Sequence, residues 1–168
     1  MRPLHALHGA SLLLVAATLA GVAPLAPAES GHAVPSFAVR TLDGKTFRMA
    51  DQVGKPLVLD FWATWCAPCR ATMPHFETIQ DRYARQGLVI LGLSVDESQA
   101  ADVRRFAEKQ GYHIRIGMAD EKLLDQFGPI RQVPTTFFIN RRGEVVRRTV
   151  GYLDGETLDS YVKELIQP

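Results

Sequence analysis

The hydrophobic residues of the chain form strand-like runs that alternate with helix-like spacings. Two largely apolar runs, 57–63 and 88–95, have the pattern of strands that are buried on both faces. Between them, apolar residues recur every three or four positions, which predicts an amphipathic helix that ends near Gly87. The residues of this helical face are Met73, Phe76, Ile79 and Tyr83.

The second half of the chain continues the alternation of strands and helices. The pattern first predicts a helix over Val103, Phe106 and Ala107, capped by Asp96 or Ser98, and a strand through Ile114 and Ile116. A short helix over Leu123, Leu124 and Phe127 follows. The chain then continues with paired strands 135–140 and 145–150 and ends with a helix capped by Asp154. Residues 37–48 alternate around Asp43-Gly44, a dipeptide typical of a β-hairpin. Together these elements predict an α/β fold, with a mixed central sheet and helices on both faces.

The first 28 residues have the pattern of a secretory signal peptide. An apolar stretch follows the single charged residue Arg2, and Ala26-Pro27-Ala28 matches an Ala-x-Ala cleavage site. An uncleaved membrane anchor is the alternative interpretation. It fits less well, because a spanning helix needs about 20 apolar residues and Pro24 interrupts a shorter stretch.

Composition and charge limit the classes of partner. Without residues 1–28 the chain has 140 residues, of which we expect 29–36 to be a flexible lead and 37–168 to form one domain. The full chain carries 19 basic and 18 acidic side chains, so no strong net charge is available to attract nucleic acid. We therefore expect protein partners and a monomer. Two cysteines are too few for the disulfide scaffold of a small exported protein.

The only two cysteines, Cys66 and Cys69, follow the first buried run in the order Cys-Ala-Pro-Cys. Zinc would need four ligands, and covalent haem attachment would need histidine where the chain has Arg70, so we expect no metal site. A structural disulfide is the third alternative, although so short a loop would stabilise the fold little. If the motif opens a helix, the helix dipole favours the thiolate of Cys66. The motif therefore favours redox chemistry.

Three parts of the chain share a resemblance to one superfamily. The segment Asp60–Arg70 resembles the active-site stretch of the thioredoxin superfamily, Val133–Phe137 resembles its cis-proline segment, and Gly151 resembles its late glycine. The aromatic residues before the cysteines, the leader and an extra helix-strand unit between Ser98 and Ile116 are similar to the TlpA/ResA branch of extracytoplasmic thiol-disulfide oxidoreductases. The resemblance implies a thioredoxin fold from about Pro35 onward, with an N-terminal hairpin and a central helix-strand insertion.

The residues that match the superfamily carry expected roles. Cys66 would attack a partner disulfide, and Cys69 would then resolve the mixed disulfide. Asp60 lies within a buried strand, which should raise its pKa, and the resemblance makes it the acceptor of the Cys69 proton. A hydrogen-bonded core acid is the alternative for Asp60. Pro134 would face the disulfide in the cis form, and an ordinary trans turn proline is its alternative.

Four further residues are expected to lie where a client binds. The resemblance leaves the backbone of Val133 free to pair with an extended client chain, and it places Trp65 near the surface as a contact. Ala67 and Pro68 offer few hydrogen-bond donors to the cysteine sulfurs. Since donors would stabilise the thiolate form, their scarcity favours a reductant over an oxidant. Trp62 fits core packing better than contact with a client.

The resemblance implies a reductase in the periplasm or another extracytoplasmic space. Its expected clients are exported proteins with disulfides, including apocytochrome c, and its expected electron donor is a membrane protein of the DsbD/CcdA type. We expect no cofactor beyond the redox-active Cys66–Cys69 disulfide. The branch commonly has Asn where this chain has Asp60, and often Glu where it has Thr72, which argues against narrow specialisation for apocytochrome c. A disulfide-forming oxidant and a binding module or chaperone without turnover are the alternatives.

Overall fold

The structure is a computed structural model that describes residues 31–167. The predicted signal peptide, residues 1–28, lies outside the described residues. The strands are β1 (His32–Ala33), β2 (Ala38–Arg40), β3 (Thr46–Arg48), β4 (Leu57–Trp62), β5 (Val89–Ser94), β6 (Arg115–Met118), β7 (Thr135–Ile139) and β8 (Glu144–Val150). The helices are α1 (Ala67–Tyr83), α2 (Ala100–Gln110), α3 (Glu121–Gln126) and α4 (Gly155–Ile166), and short 3-10 turns lie at Met49–Gln52 and Ala84–Gln86.

The strand β4 lies at the centre of a six-stranded sheet of order β1-β8-β7-β4-β5-β6. It pairs in parallel with β5 and antiparallel with β7, so the predicted mixed sheet is confirmed. All six residues of β4 are buried, because helices or loops cover both faces of the sheet. This explains why the strand shows no sustained polar alternation.

The two faces of β4 pack against different elements. Val58 and Trp62 face a cluster formed with α1, α2 and α4. Leu57, Leu59 and Phe61 face a second cluster, formed with the β2–β3 hairpin and α3. Since side chains alternate along a strand, Asp60 points to the first of these faces, which is also the face that contains both cysteines.

The predicted N-terminal hairpin is present as β2 and β3. Its turn region covers the outer edge of β6, where Thr41 bridges Gly117 and the N–H of Leu42 donates to the carbonyl of Ile116 over 2.7 Å. Pairing this edge removes an exposed row of backbone groups, which would otherwise be open to other chains. Within residues 31–167, no helix combines the length and apolar content that a membrane span requires.

Two local expectations differ from the structure. The described part of the predicted flexible lead contains β1, whose residues pair with Glu144 and Val145 of β8, so this part belongs to the sheet. The residue at the N-cap of α2 is Gln99, and it makes no side-chain capping bond. Asp96 does not cap this helix, because its carboxylate binds the loop before Cys66 instead.

Candidate functional site

The disulfide between Cys66 and Cys69 lies where β4 ends and α1 begins. The two sulfurs are 2.11 Å apart and the Cα atoms 5.3 Å apart. Cys66 is the N-cap residue of α1, and its sulfur accepts a hydrogen bond of 3.2 Å from the N–H of Cys69. Pro68 has no N–H to offer. An N-cap sulfur at the positive end of a 17-residue helix is well placed to carry charge as a thiolate.

The segment before β7 lies against this disulfide. The carbonyl oxygen of Val133 is 3.5 Å from the sulfur of Cys66, and the Val133–Pro134 peptide bond is cis, as the resemblance implied. Within residues 31–167, the N–H and C=O of Val133 make no backbone hydrogen bond. The strand ladder begins only at Thr135, which pairs with Val150. Backbone groups beside the disulfide are therefore available to an extended partner.

Asp60 is buried in the middle of β4, with 1% of its surface exposed. Its carboxylate accepts a hydrogen bond of 2.7 Å from the hydroxyl of Thr136 on β7. Burial raises the pKa of Asp60 from 3.8 to about 8, because a charge would be desolvated there, and the hydrogen bond from Thr136 opposes this shift only in part. A carboxyl group with such a pKa can exchange a proton near neutral pH.

Several apolar side chains lie on the surface around the disulfide. Trp65 is 67% exposed, whereas Trp62 is fully buried, which matches the different expectations for the two tryptophans. Ala67 and Pro68 are exposed beside the sulfurs, and both cysteines are buried. Trp65 and Val133 line a cleft of about 450 Å³. The structure thus places Trp65 and Val133 at one cleft next to Cys66, whereas Ala67 and Pro68 are exposed but do not line this cleft.

A hydrogen-bond network that the sequence did not reveal holds the loop before Cys66. The carboxylate of Asp96 accepts bonds from the Thr64 N–H (2.9 Å), the Thr64 hydroxyl (2.6 Å) and the Ser94 hydroxyl (2.6 Å). Arg70 donates to the carbonyl of Thr64 over 3.1 Å. Thr64 and Asp96 are 32 positions apart in the chain, so no local motif could have indicated this pair. The network fixes the entry to the active-site helix from the end of β5.

We expect Asp96→Ala to lower the free energy of unfolding of the oxidised protein by about 3 kcal/mol, because the Thr64 N–H and two hydroxyls lose a charged acceptor. Asp96→Asn keeps part of the acceptor capacity and should lose about half as much. Urea unfolding measures both values. The exposed neighbour Glu97 supplies the control, and Glu97→Ala should stay within about 0.5 kcal/mol of the parent. A parent-like Asp96→Ala variant would contradict this role.

Thr72 makes a second contact that the sequence did not indicate, and this contact fixes the first turns of α1. Thr72 is buried, its hydroxyl donates to the carbonyl of Pro68 over 3.2 Å, and it accepts from the N–H of Leu153 over 3.3 Å. This bond joins the first turns of α1 to the segment between β8 and α4. Thr72 occupies the position where the TlpA/ResA branch often has Glu, so the side chain here is a neutral tie rather than an acid.

Comparison with known proteins shows the family to which the chain belongs. The AhpC/TSA family matches residues 30–148. The thiol-disulfide oxidoreductase ResA of Bacillus thuringiensis is 32% identical over 138 residues, which cover 82% of this chain and 79% of the relative.

Two solved structures are similar over most of the chain. A thiol:disulfide interchange protein of the thioredoxin family from Chlorobium tepidum superposes with a TM-score of 0.77 and 33% identity, over 84% of this chain and all of the other. The exposed lipoprotein thioredoxin of Streptococcus pneumoniae gives a TM-score of 0.68 and 28% identity, over 78% of this chain and all of the other. With a disulfide-bonded Cys-x-x-Cys pair in a thioredoxin fold, the chain belongs to the AhpC/TSA family and is a thiol-disulfide oxidoreductase.

Proposed function

We propose that the protein reduces disulfides in exported proteins outside the cytoplasm. The observation that carries this proposal is the position of the Cys66 sulfur, at a helix N-terminus and 3.5 Å from the unpaired carbonyl of Val133. The sulfur lies beside backbone groups that can bind an extended chain as an added strand. A client disulfide that docks there would present a sulfur atom to Cys66.

The reaction requires the dithiol form of the cysteine pair. The Cys66 thiolate attacks one client sulfur and forms a mixed disulfide, while the second client sulfur leaves as a thiolate. Cys69 then loses its proton and attacks the sulfur of Cys66, which releases the first client sulfur. Both client thiolates end as thiols, and the two electrons come from the Cys66–Cys69 dithiol. A membrane electron donor of the DsbD/CcdA type would restore the dithiol.

Asp60 is our proposed acceptor for the Cys69 proton. Its side chain points to the same face of β4 as the side chains that pack around the two cysteines. With a pKa of about 8, roughly a tenth of the Asp60 carboxyl groups are ionised at pH 7, and this ionised form can take the Cys69 proton and later release it. Sequestered from water, it would act at the resolving step rather than at the first attack.

The reducing direction is supported by the groups around the sulfurs. The N–H of Cys69 is the one backbone donor that contacts the Cys66 sulfur within the described chain, and Ala67 and Pro68 add no side-chain donor. Stabilisation of the thiolate therefore rests on the helix dipole and this single bond, and a dithiol with fewer stabilising donors gives up electrons more readily. The extracytoplasmic location rests on the leader pattern and on the similarity to an exposed lipoprotein. Apocytochrome c is one candidate client, suggested by the TlpA/ResA resemblance.

Trapping of clients tests the proposed function. In a Cys69→Ala variant, Cys66 should still attack but the mixed disulfide should persist, because the resolving thiol is absent. We expect exported proteins with disulfides to be captured in covalent complexes that a small dithiol releases. The control is the double variant Cys66→Ala/Cys69→Ala, which should capture none. Equal capture by both variants, or capture without any exported protein, would overturn the proposal.

A further inference from the structure

Two clefts adjoin on the side of the disulfide where Val133 lies. The first, of about 450 Å³, extends from Trp65 and Val133 to Val150. The second, of about 430 Å³, extends from Thr135, the first residue of β7, to Arg148 of β8. Both clefts share Arg131, Gln132 and Val150, so they form one docking surface that starts beside Cys66. We call it the Arg131 cleft.

The charged side chains that line the Arg131 cleft are positive. Arg131 lines both parts, and Arg148 lines the second part. Among the described residues, no Asp or Glu lines either part. Within residues 31–167, neither arginine takes part in a salt bridge, whereas Arg142 and Arg147 of the same hairpin are paired with carboxylates at 2.6 and 2.8 Å.

The position of Arg148 is defined by its neighbours. Its guanidinium carbon lies 5.4 Å from the centre of the Phe137 ring, and one of its nitrogens contacts the carbonyl of Pro129 at 3.5 Å. These contacts orient the group along the wall of the cleft and leave most of its donors unused. A guanidinium with unused donors binds a carboxylate in preference to a neutral side chain.

We propose that the Arg131 cleft selects clients with an acidic residue two or three positions from the cysteine that Cys66 attacks. This inference rests on the proposed function. Arg131 precedes Val133 by two residues, and an extended chain advances roughly 3.3 Å per residue. A client strand that pairs with Val133 therefore reaches Arg131 two or three residues away from the paired position. The one or two residues between the acid and the client cysteine would lie in the first part of the cleft, against Trp65 and Val150.

The experiment uses a short peptide whose single cysteine is bound through a disulfide to a chromophoric aromatic thiol. The reduced protein attacks the peptide sulfur, the aromatic thiolate leaves and is seen by its absorbance, and Cys69 then releases the peptide thiol. Peptides differ only in having Glu, Gln or Lys near the cysteine, on its N-terminal or its C-terminal side. We expect the Glu peptide, in at least one order, to react about fivefold faster than the Gln peptide at low ionic strength, and the Lys peptide to react slowest.

Paired variants identify the residues responsible. Arg131→Gln/Arg148→Gln should bring the Glu and Gln peptides to within about twofold of each other, because the charges that distinguish them are gone. The control Arg85→Gln/Arg104→Gln removes the same net charge from exposed positions that line neither part of the cleft, and it should keep the preference. High salt should also reduce the preference, since the screening length falls to about 3 Å at 1 M.

The outcomes separate this inference from the proposed function. Equal rates for all three peptides, or an undiminished preference in Arg131→Gln/Arg148→Gln, overturn the selectivity of the cleft while reduction itself stands. Failure of the reduced protein to react with any of the peptides overturns both the selectivity and the proposed reductase. A preference that the control pair loses as well would assign the effect to net charge, which also overturns the role of the cleft.

Discussion

Cys66→Ser is expected to reduce the disulfide-reducing activity of the protein to the uncatalysed background rate. The hydroxyl of serine stays protonated at neutral pH and cannot form the mixed disulfide that carries the electrons. The fold should persist, because loss of a disulfide that closes so short a loop costs about 2 kcal/mol. Reduction of a disulfide-bonded test protein measures the activity, and circular dichroism checks the fold.

The matched control for Cys66→Ser is Cys69→Ala, which also lacks the disulfide. Each molecule of this variant should form one mixed disulfide and then stop. Cys69→Ala therefore reports loss of turnover alone, whereas Cys66→Ser reports loss of the first attack. If cells with Cys66→Ser showed unchanged function, the protein would act there as a binding module or chaperone. That result would show that the cellular function of the protein does not depend on thiol-disulfide exchange by the cysteine pair.

Asp60→Asn is expected to stabilise the oxidised protein by about 4 kcal/mol near pH 7. The pKa of Asp60 is about 8 in the folded chain, against an ordinary 3.8. Above pH 4 the unfolded chain releases this proton while the folded chain keeps it, so the free energy of unfolding falls progressively until the pH reaches about 8. Asparagine does not titrate and avoids this loss. Urea unfolding at about pH 4 and pH 7 measures the difference.

At about pH 4 the two proteins should differ in stability by less than about 1 kcal/mol, because Asp60 is protonated in the folded chain and still partly protonated in the unfolded chain. Asp125→Asn, on the exposed side of α3, is the control and should show no pH-dependent gain. A constant difference between parent and Asp60→Asn at both pH values would contradict the raised pKa.

The same variant also tests the proposed proton transfer. Asp60→Asn should slow the resolving attack of Cys69 by at least about tenfold, while the first attack by Cys66 stays close to the parent rate. Single-turnover kinetics with a disulfide peptide separates the two steps, since the mixed disulfide then accumulates. Equal slowing of both steps would indicate a general change of the site and would exclude Asp60 as the specific acceptor.

Much of the fold could be predicted because its main elements have clear patterns. The buried runs of β4 and β5 and the apolar face of α1 leave few alternatives, and the structure confirms these elements. The strand β1 could not be predicted, because a two-residue strand has no periodicity and exists only through its pairing with β8. For Asp96, the local pattern favoured a helix cap, but a tertiary contact with Thr64 took the carboxylate instead.

The candidate site likewise contains residues that the sequence indicates and contacts that it does not. Cys66 and Cys69 are only three positions apart and form a motif, and the resemblance adds the distant Pro134. Contacts that connect remote segments have no such signal. The bonds from Thr64 to Asp96 span 32 positions, and the bond from Leu153 to Thr72 spans 81. Arg131 and Arg148 line the same cleft only because β8 pairs with β7, which brings the two segments together.

The reduction potential of the Cys66–Cys69 pair tests the central claim most directly. Equilibration of the protein with dithiol and disulfide buffers, followed by labelling of free thiols, gives this potential. A value near about −270 mV, as in thioredoxin, is the result that a reductase of exported proteins predicts. A value near about −120 mV, as in strongly oxidising relatives of this fold, would contradict it and would make the protein a donor of disulfides.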